Sequence, residues 1–192
     1  MSLPVTIRLM QPADLDLLQT ICREAYSQNF HDHWTGDGLA SYLEKVFGRE
    51  VLHTELADPH IRYYVAFRDQ EPLAFMKLNL SSNLPGEPPE KGVELDKLYI
   101  LPECKGLKIG GSMVDLAFIL ARELHKEVCW LAVLDANTPA IAFYEKHGFR
   151  FHSTTRVPYP LFREDLKGMW RMQAEIGQSR EPGQEKKLPG NL

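Results

Sequence analysis

Three stretches of this sequence predict an α/β (α+β) domain with interleaved strands and helices. Val93–Gly111 reads V-E-L-D-K-L-Y-I-L-P-E-C-K-G-L-K-I-G-G: a β-prone run, a proline, then a turn rich in glycine and lysine that opens directly into a helical pattern. Val128–Gly148 repeats that order, with an apolar run V-C-W-L-A-V-L followed by a capped helical segment. Ile61–Leu80 reads as two strands around a tight turn, a hairpin.

The elements follow in order. Val5–Met10 is a first strand. Gln11, Pro12 and Asp14 open a helix that carries Leu18, Ile21, Cys22 and Ala25 on one face. Ser27–Gly38 is a polar and aromatic connection. Leu39, Tyr42, Leu43 and Val46 recur at i, i+3, i+4 and i+7 and predict a second helix. Gly48 interrupts it, and Val51, Leu52 and Leu56 give a short third helix that Asp58 and Pro59 stop. Strands Ile61–Phe67 and Leu73–Leu80 follow, then a loop, Ser81–Gly92. The strand Val93–Leu101 has Leu95, Leu98, Tyr99 and Ile100 as its body, and Pro102 ends it because proline has no N–H for a ladder. After the Lys105–Gly111 turn, Met113, Leu116, Ala117, Leu120 and Leu124 form one helical face. Asn137 is an N-cap with Pro139 in the first turn, and Gly148 is a C-cap. Phe149–Val157 and Met169–Ile176 are the last strands. Residues 177–192 carry no periodic apolar face and read as a flexible tail to a single domain, 1–176.

The strand–turn–helix at Val93–Leu124 has a chemical use. A helix's first turn leaves backbone N–H groups unpaired at the positive end of its dipole, glycine lets a ligand approach closely, and lysine adds charge. The combination suits a phosphate or pyrophosphate. A turn that needs glycine for its geometry alone reads the same way. The run is neither a Walker A loop nor a G-x-G-x-x-G fingerprint.

Together, K-G-L-K-I-G-G and N-T-P-A-I-A-F-Y-E-K-H-G-F, about thirty residues apart, resemble the two signature motifs of the GCN5-related N-acetyltransferases (GNAT). The first motif usually reads [Q/R]-x-x-G-x-[G/A]. Lys105 and Gly110 stand at its ends, and Lys108 stands where the inner glycine is expected. A-Y-S-Q-N-F-H-D-H-W and A-F-M-K-L-N-L look like the spermidine/spermine N-acetyltransferase branch, including the PaiA type. The resemblance implies a GNAT acyl-CoA N-acyltransferase fold, with about seven strands in a mixed, mostly antiparallel sheet flanked by helices.

It also implies roles. Backbone groups of Tyr99, Ile100 and Leu101 would pair with the pantetheine of acetyl-CoA, the co-substrate, where two strands splay. Lys105, Gly106, Leu107, Lys108, Ile109, Gly110, Gly111 and Ser112 would hold its pyrophosphate. Asn137 and Ala140 would line its other side, and Lys146 would reach an outer phosphate. Tyr144 would be the general acid that protonates the departing sulfur; without the family it reads as a core tyrosine beside Phe143. Chemistry further demands a base, because an alkyl amine is protonated at neutral pH. Glu94 and Asp96, two apart on a strand, share a face, and Glu94 is the first choice. The competing reading leaves both solvated, or one paired with Lys97.

Tyr26, Phe30, His31, His33 and Trp34 are aromatic enough to frame an amine, with the hairpin edge and the Ser81–Gly92 loop alongside. No third ligand at metal spacing accompanies His31 and His33, so no metal is expected. Asp32, Asp37, Glu87 and Glu90 suit either a polyamine or a solvated acidic loop. The acceptor is then a small-molecule or peptidyl amine. An acyl-CoA-binding module without turnover, prompted by Lys108, and an interaction scaffold are the alternatives.

Composition narrows the classes. The net charge of −4 argues against nucleic acid, which selects a basic face. No apolar run has the length of a membrane span or a signal-peptide core. Three cysteines (Cys22, Cys104, Cys129) lack metal spacing and fit a reduced, cytoplasmic setting. Cys104 lies in the lysine-rich turn and reads first as an incidental loop residue; the alternative is a thiol whose pKa a positive field lowers. The resemblance also allows a homodimer.

Overall fold

The structure, a computed structural model, describes residues 4–177. The tail expected from Gly177 onward lies, apart from Gly177 itself, outside the described residues. Seven strands form one sheet: β1 (Val5–Leu9), β2 (Ile61–Arg68), β3 (Glu71–Asn79), β4 (Gly92–Ile100), β5 (Val128–Leu134), β6 (Arg150–Arg156) and β7 (Gly168–Glu175). Their order is β1-β2-β3-β4-β5-β7-β6. Every neighbouring pair is antiparallel except β4–β5. The sheet is therefore mixed and mostly antiparallel, as the sequence predicts.

Helices cover both faces: α1 (Leu15–Phe30), α2 (Gly38–Phe47) and α3 (Arg49–Ala57) on one, α4 (Ile109–Glu123) and α5 (Thr138–Lys146) on the other. The sides follow from contacts. On β3, Phe75 meets Phe47 of α2 edge-on at 5.7 Å, and Lys77 bonds Glu55 of α3. On β4, Ile100, one residue past the Phe75 partner Tyr99, packs toward Gly110 of α4. Leu18, Ile21, Phe47, Phe75, Met76, Met113, Leu131 and Phe149 are wholly buried between these layers.

Two boundaries differ from the sequence reading. α1 continues through Phe30 instead of giving way to a loop at Ser27, because Tyr26 and Phe30, one turn apart, stack at 4.9 Å and extend the buried stripe. Gly110 and Gly111 belong to the first turn of α4, not to the loop before it.

A third difference governs the site. The β3–β4 register runs Lys77↔Lys97 and then Leu78↔Leu95, leaving Asp96 as an extra residue in a bulge. Strict alternation from Glu94 would put Tyr99 on the opposite face. The bulge resets it, so that Glu94, Lys97 and Tyr99 all face α1–α3.

Candidate active site

β4 and β5 pair only over Gly92–Glu94 and Val128–Trp130. Beyond Glu94 they part: β4 stays with β3, and β5 pairs with β7 as far as Leu134. The gap opens into a cavity of about 1200 Å³ that runs from the start of α4 to the aromatic side chains of α1. Glu94 sits at the vertex.

At the α4 end the lining includes Lys105, Gly106, Lys108, Ile109, Gly110, Gly111 and Ser112. No side chain caps α4. The N–H of Ser112 bonds back to the Lys108 carbonyl at 3.3 Å, so the first turn offers the groups ahead of it to an incoming oxyanion. Lys108, the residue in the inner-glycine position, has φ 60° and ψ 12°. It adopts the left-handed conformation that glycine would adopt, and adds a charge. Gly110 is closely packed: a Cβ there would lie 3.2 Å from the Phe143 ring and 3.3 Å from Ile100, so those side chains would have to give. Asn137 caps α5, its Oδ1 accepting from the Ala140 N–H at 3.3 Å, and Pro139, Ala140, Phe143 and Tyr144 of α5 line the opposite wall. His147 lines it too, its Nδ1 2.8 Å from the Phe143 carbonyl and its Nε2 toward Gly111.

Several expected cofactor contacts need correction. The N–H of Leu101 bonds to Leu73 of β3 and its carbonyl accepts from Cys104, so neither group faces the gap. The same register turns the backbone of Tyr99 toward Phe75 and leaves Leu98 and Ile100 facing β5. Ile100 keeps its place there, although its carbonyl accepts from Asn29 Nδ2 at 3.0 Å. Leu98, missed in the sequence, becomes visible once the register is known. Leu107 and Lys146 are exposed and outside the lining. Cys104 is buried, and desolvation pushes its thiol up, against the alternative of a lowered pKa.

The two carboxylates of β4 have opposite surroundings. Glu94 Oε2 accepts from Asn79 Nδ2 at 2.8 Å and Ser82 Oγ at 3.0 Å. Burial, and then the charge on Asp96, push its carboxyl above the ordinary range despite those bonds. Asp96 is paired twice, to Lys97 at 2.8 Å and to Lys77 at 3.2 Å. Burial alone would raise its carboxyl, but the two ammonium groups outweigh it and hold it low. Lys77 in turn reaches Glu55 at 2.6 Å, and Glu55 accepts from the Tyr63 hydroxyl. Asp96 is thus the ionised centre of a closed charge cluster, unsuited to taking a proton; the pairing with Lys97 weighed in the sequence is present. Tyr144 is half-buried, and desolvation raises its hydroxyl well above the usual phenol value, so it stays protonated throughout the neutral range.

At the other end Tyr26, Phe30, Tyr42, Tyr99, Tyr159 and Phe162 line the cavity. Tyr26 stacks on Tyr42 at 4.4 Å, and Tyr42 meets Tyr159 edge-on at 5.0 Å. The Tyr159–Phe162 segment is fastened to the segment after α1: the Thr35 N–H bonds to the Leu161 carbonyl, the Arg163 N–H to the His33 carbonyl, and Trp34 bridges Phe162. Trp34 stands behind the wall against Tyr42 and Phe162, outside the lining. His31 is exposed beside Asp32 and also lies outside it. The Ser81–Gly92 loop takes part only through Ser82, and the β2–β3 turn not at all. Tyr42, Tyr159 and Phe162 were not identified from the sequence; the aromatic Tyr159 between Pro158 and Pro160 was the available signal.

The splayed strands and the uncapped helix start, with Glu94 and Tyr144 lining the same cavity, are the arrangement expected of a GNAT-type acyltransferase. The Acetyltransferase (GNAT) family profile matches residues 18–149, and the chain belongs to that family as an N-acetyltransferase. It is 25% identical over 154 residues to a spermidine N(1)-acetyltransferase of Thermoplasma acidophilum, covering 78% of this chain and 91% of that protein. It is 34% identical over 133 residues to the peptidyl-lysine N-acetyltransferase YjaB of Salmonella typhimurium, covering 65% and 79%. In fold it is similar to a PaiA N-acetyltransferase from Thermoplasma acidophilum solved in complex with coenzyme A, with TM-score 0.71, 21% identity, and 90% and 99% of the two chains covered. Among the described residues no helix is long and apolar enough to cross a membrane.

Proposed function

We propose that this chain transfers an acetyl group from acetyl-CoA to a primary amine by direct attack in a ternary complex, with Glu94 as base and Tyr144 as acid. The observation that carries the reading is the parting of β4 from β5 at Glu94, into a cavity that joins the α4 N-terminus to the aromatic end. The residues present suit the co-substrate. Lys105, Lys108 and the first-turn N–H groups of α4 match a pyrophosphate, and the β5-facing backbone of Leu98 with the N–H of Ile100 matches an amide-bearing arm. Acetyl-CoA supplies an activated acyl thioester.

Glu94, its carboxyl raised by burial, takes a proton from the amine at its free Oε1, directly or through a water. The amine nitrogen then bonds to the acyl carbon as the C–S bond breaks. The Tyr144 hydroxyl gives its proton to the departing sulfur, the second proton shed by the nitrogen as the amide forms restores that hydroxyl, and Glu94 releases its proton to solvent. The reading as a binding module without turnover rested on Lys108; its left-handed backbone removes that motive.

The test is CoA release from acetyl-CoA against a panel of amines, with Tyr144→Phe in parallel. The variant should lose about 100-fold or more in kcat, with KM for acetyl-CoA little changed. Equal kcat would remove Tyr144 from the mechanism, and binding without turnover by the unmodified protein would restore the module reading.

A further inference from the structure

Resting on the transferase reading, we infer that the acceptor is a monoamine with an aromatic-sized apolar body rather than a polyamine or a lysyl peptide. The argument is a census of what faces the acceptor end. Six aromatic side chains line it: Tyr26, Phe30, Tyr42, Tyr99, Tyr159 and Phe162. They come from α1, α2, β4 and the β6–β7 connection; all but Phe162 pack on one another at centroid distances of 4.4 to 5.6 Å, and Phe162 packs on Trp34 behind them. Such walls bury a ring or an alkyl body well.

The charges are the second half of the argument. A polyamine carries two or more cations spaced along a chain and calls for carboxylates at matching spacing. Among the described residues the cavity offers three. Asp115 is on α4, at the cofactor end. Asp96 is already neutralised by Lys97 and Lys77. Only Glu94 remains, and it serves the reacting nitrogen. The acidic residues that suggested a polyamine in the sequence, Asp32, Asp37, Glu87 and Glu90, are exposed and line none of the cavity. Lys97 lines the floor with its ammonium already paired to Asp96, so it brings a positive charge and no partner for a second cation. A lysyl peptide would need an open groove for its backbone. Here the Thr35–Leu161 and His33–Arg163 backbone bonds tie the walls together across that side.

The experiment measures kcat/KM for phenethylamine, tryptamine, spermidine, spermine and a lysine-containing peptide, all with acetyl-CoA, on the full chain. Phenethylamine or tryptamine should exceed spermidine by tenfold or more. Tyr159→Ala and the milder Tyr159→Leu should each raise KM for the preferred arylalkylamine about tenfold while leaving KM for acetyl-CoA in place. Spermidine, spermine or the peptide as the better substrate would overturn this inference and leave the transferase reading standing. Turnover with none of the five, with acetyl-CoA bound, would overturn both. An unchanged amine KM in both Tyr159 variants would overturn the aromatic wall as the recognition element.

Discussion

The two ends of the cavity are built in different ways. The α4 end is made from contiguous chain: the turn Lys105–Lys108 and the first residues of the helix it opens, faced by α5. The aromatic end draws on α1, α2, β4 and the β6–β7 connection, more than a hundred residues apart. A site made of local backbone depends on a few residues and on the conformation they hold, as the close packing at Gly110 and the left-handed backbone of Lys108 show. A site made of distant side chains depends on packing, which many apolar residues satisfy. The first kind is constrained by the phosphate it meets, and the second is free to vary with the acceptor. Glu94 and Asp96 lie where the two ends join, and they test the contrast most sharply.

The largest effect is expected at Glu94. Glu94→Gln should lower kcat by about 100-fold or more and remove the acid limb of the rate profile. In the unmodified protein that limb should fall above the ordinary glutamate value of 4.5, since burial and Asp96 raise the carboxyl. The sign for stability is opposite to the sign for activity. A carboxyl whose folded pKa is raised favours folding below its unfolded pKa, and that contribution is lost as pH rises through the folded value. At pH 7 the Gln variant should therefore melt no lower than the unmodified protein, by calorimetry. A lower melting temperature with full activity would make Glu94 structural.

Asp96→Asn should do the reverse. It removes the shared partner of two enclosed ammonium groups, Lys77 and Lys97, and breaking such a pair costs about 3–5 kcal/mol. For a domain of this size the midpoint would fall by roughly 6–20 °C. The depressed carboxyl contributes stability above its unfolded pKa and loses it as pH falls through the folded value. The gap between variant and parent should therefore be full at pH 7 and close below about pH 3.8. A pH-independent gap would mean that packing, not charge, holds the bulge.

How much of this was legible follows the same division. The strand–turn–helix at Val93–Leu124 and the capped helix after Asn137 were readable because spacing and caps are local signals. The charge cluster was half visible: Lys97 beside Asp96 is adjacent in sequence, while Lys77 and Glu55 reach them only through the β2–β3–β4 register. The bulge at Asp96 has no sequence mark, yet it turns the Tyr99 side chain toward α1–α3 and its backbone toward β3. Tyr42 read correctly as a buried helix position, and nothing in its period said that the buried face meets Tyr159 across a cavity. His31 and Trp34 stand in an aromatic run in the sequence, whereas the lining on that side comes from Tyr159 and Phe162.

The smallest effect belongs to Lys108, and it separates backbone from charge. A non-glycine residue in the left-handed region is disfavoured by roughly 1–2 kcal/mol, and glycine there loses more chain entropy on folding, roughly 0.5–1 kcal/mol. Lys108→Gly should therefore shift stability by less than about 1 kcal/mol, upward if at all. Its side chain is exposed, so the lost charge would weaken binding by the modest amount of a solvent-screened pair, about two- to fivefold in KM for acetyl-CoA. That increase should shrink at high salt. If KM fell instead, the strained backbone would be the controlling feature at this end of the cavity, and the lysine a residue tolerated there. A rise that salt does not reduce would assign the loss to loop order, since glycine leaves the turn free to sample conformations that do not present the first-turn N–H groups of α4.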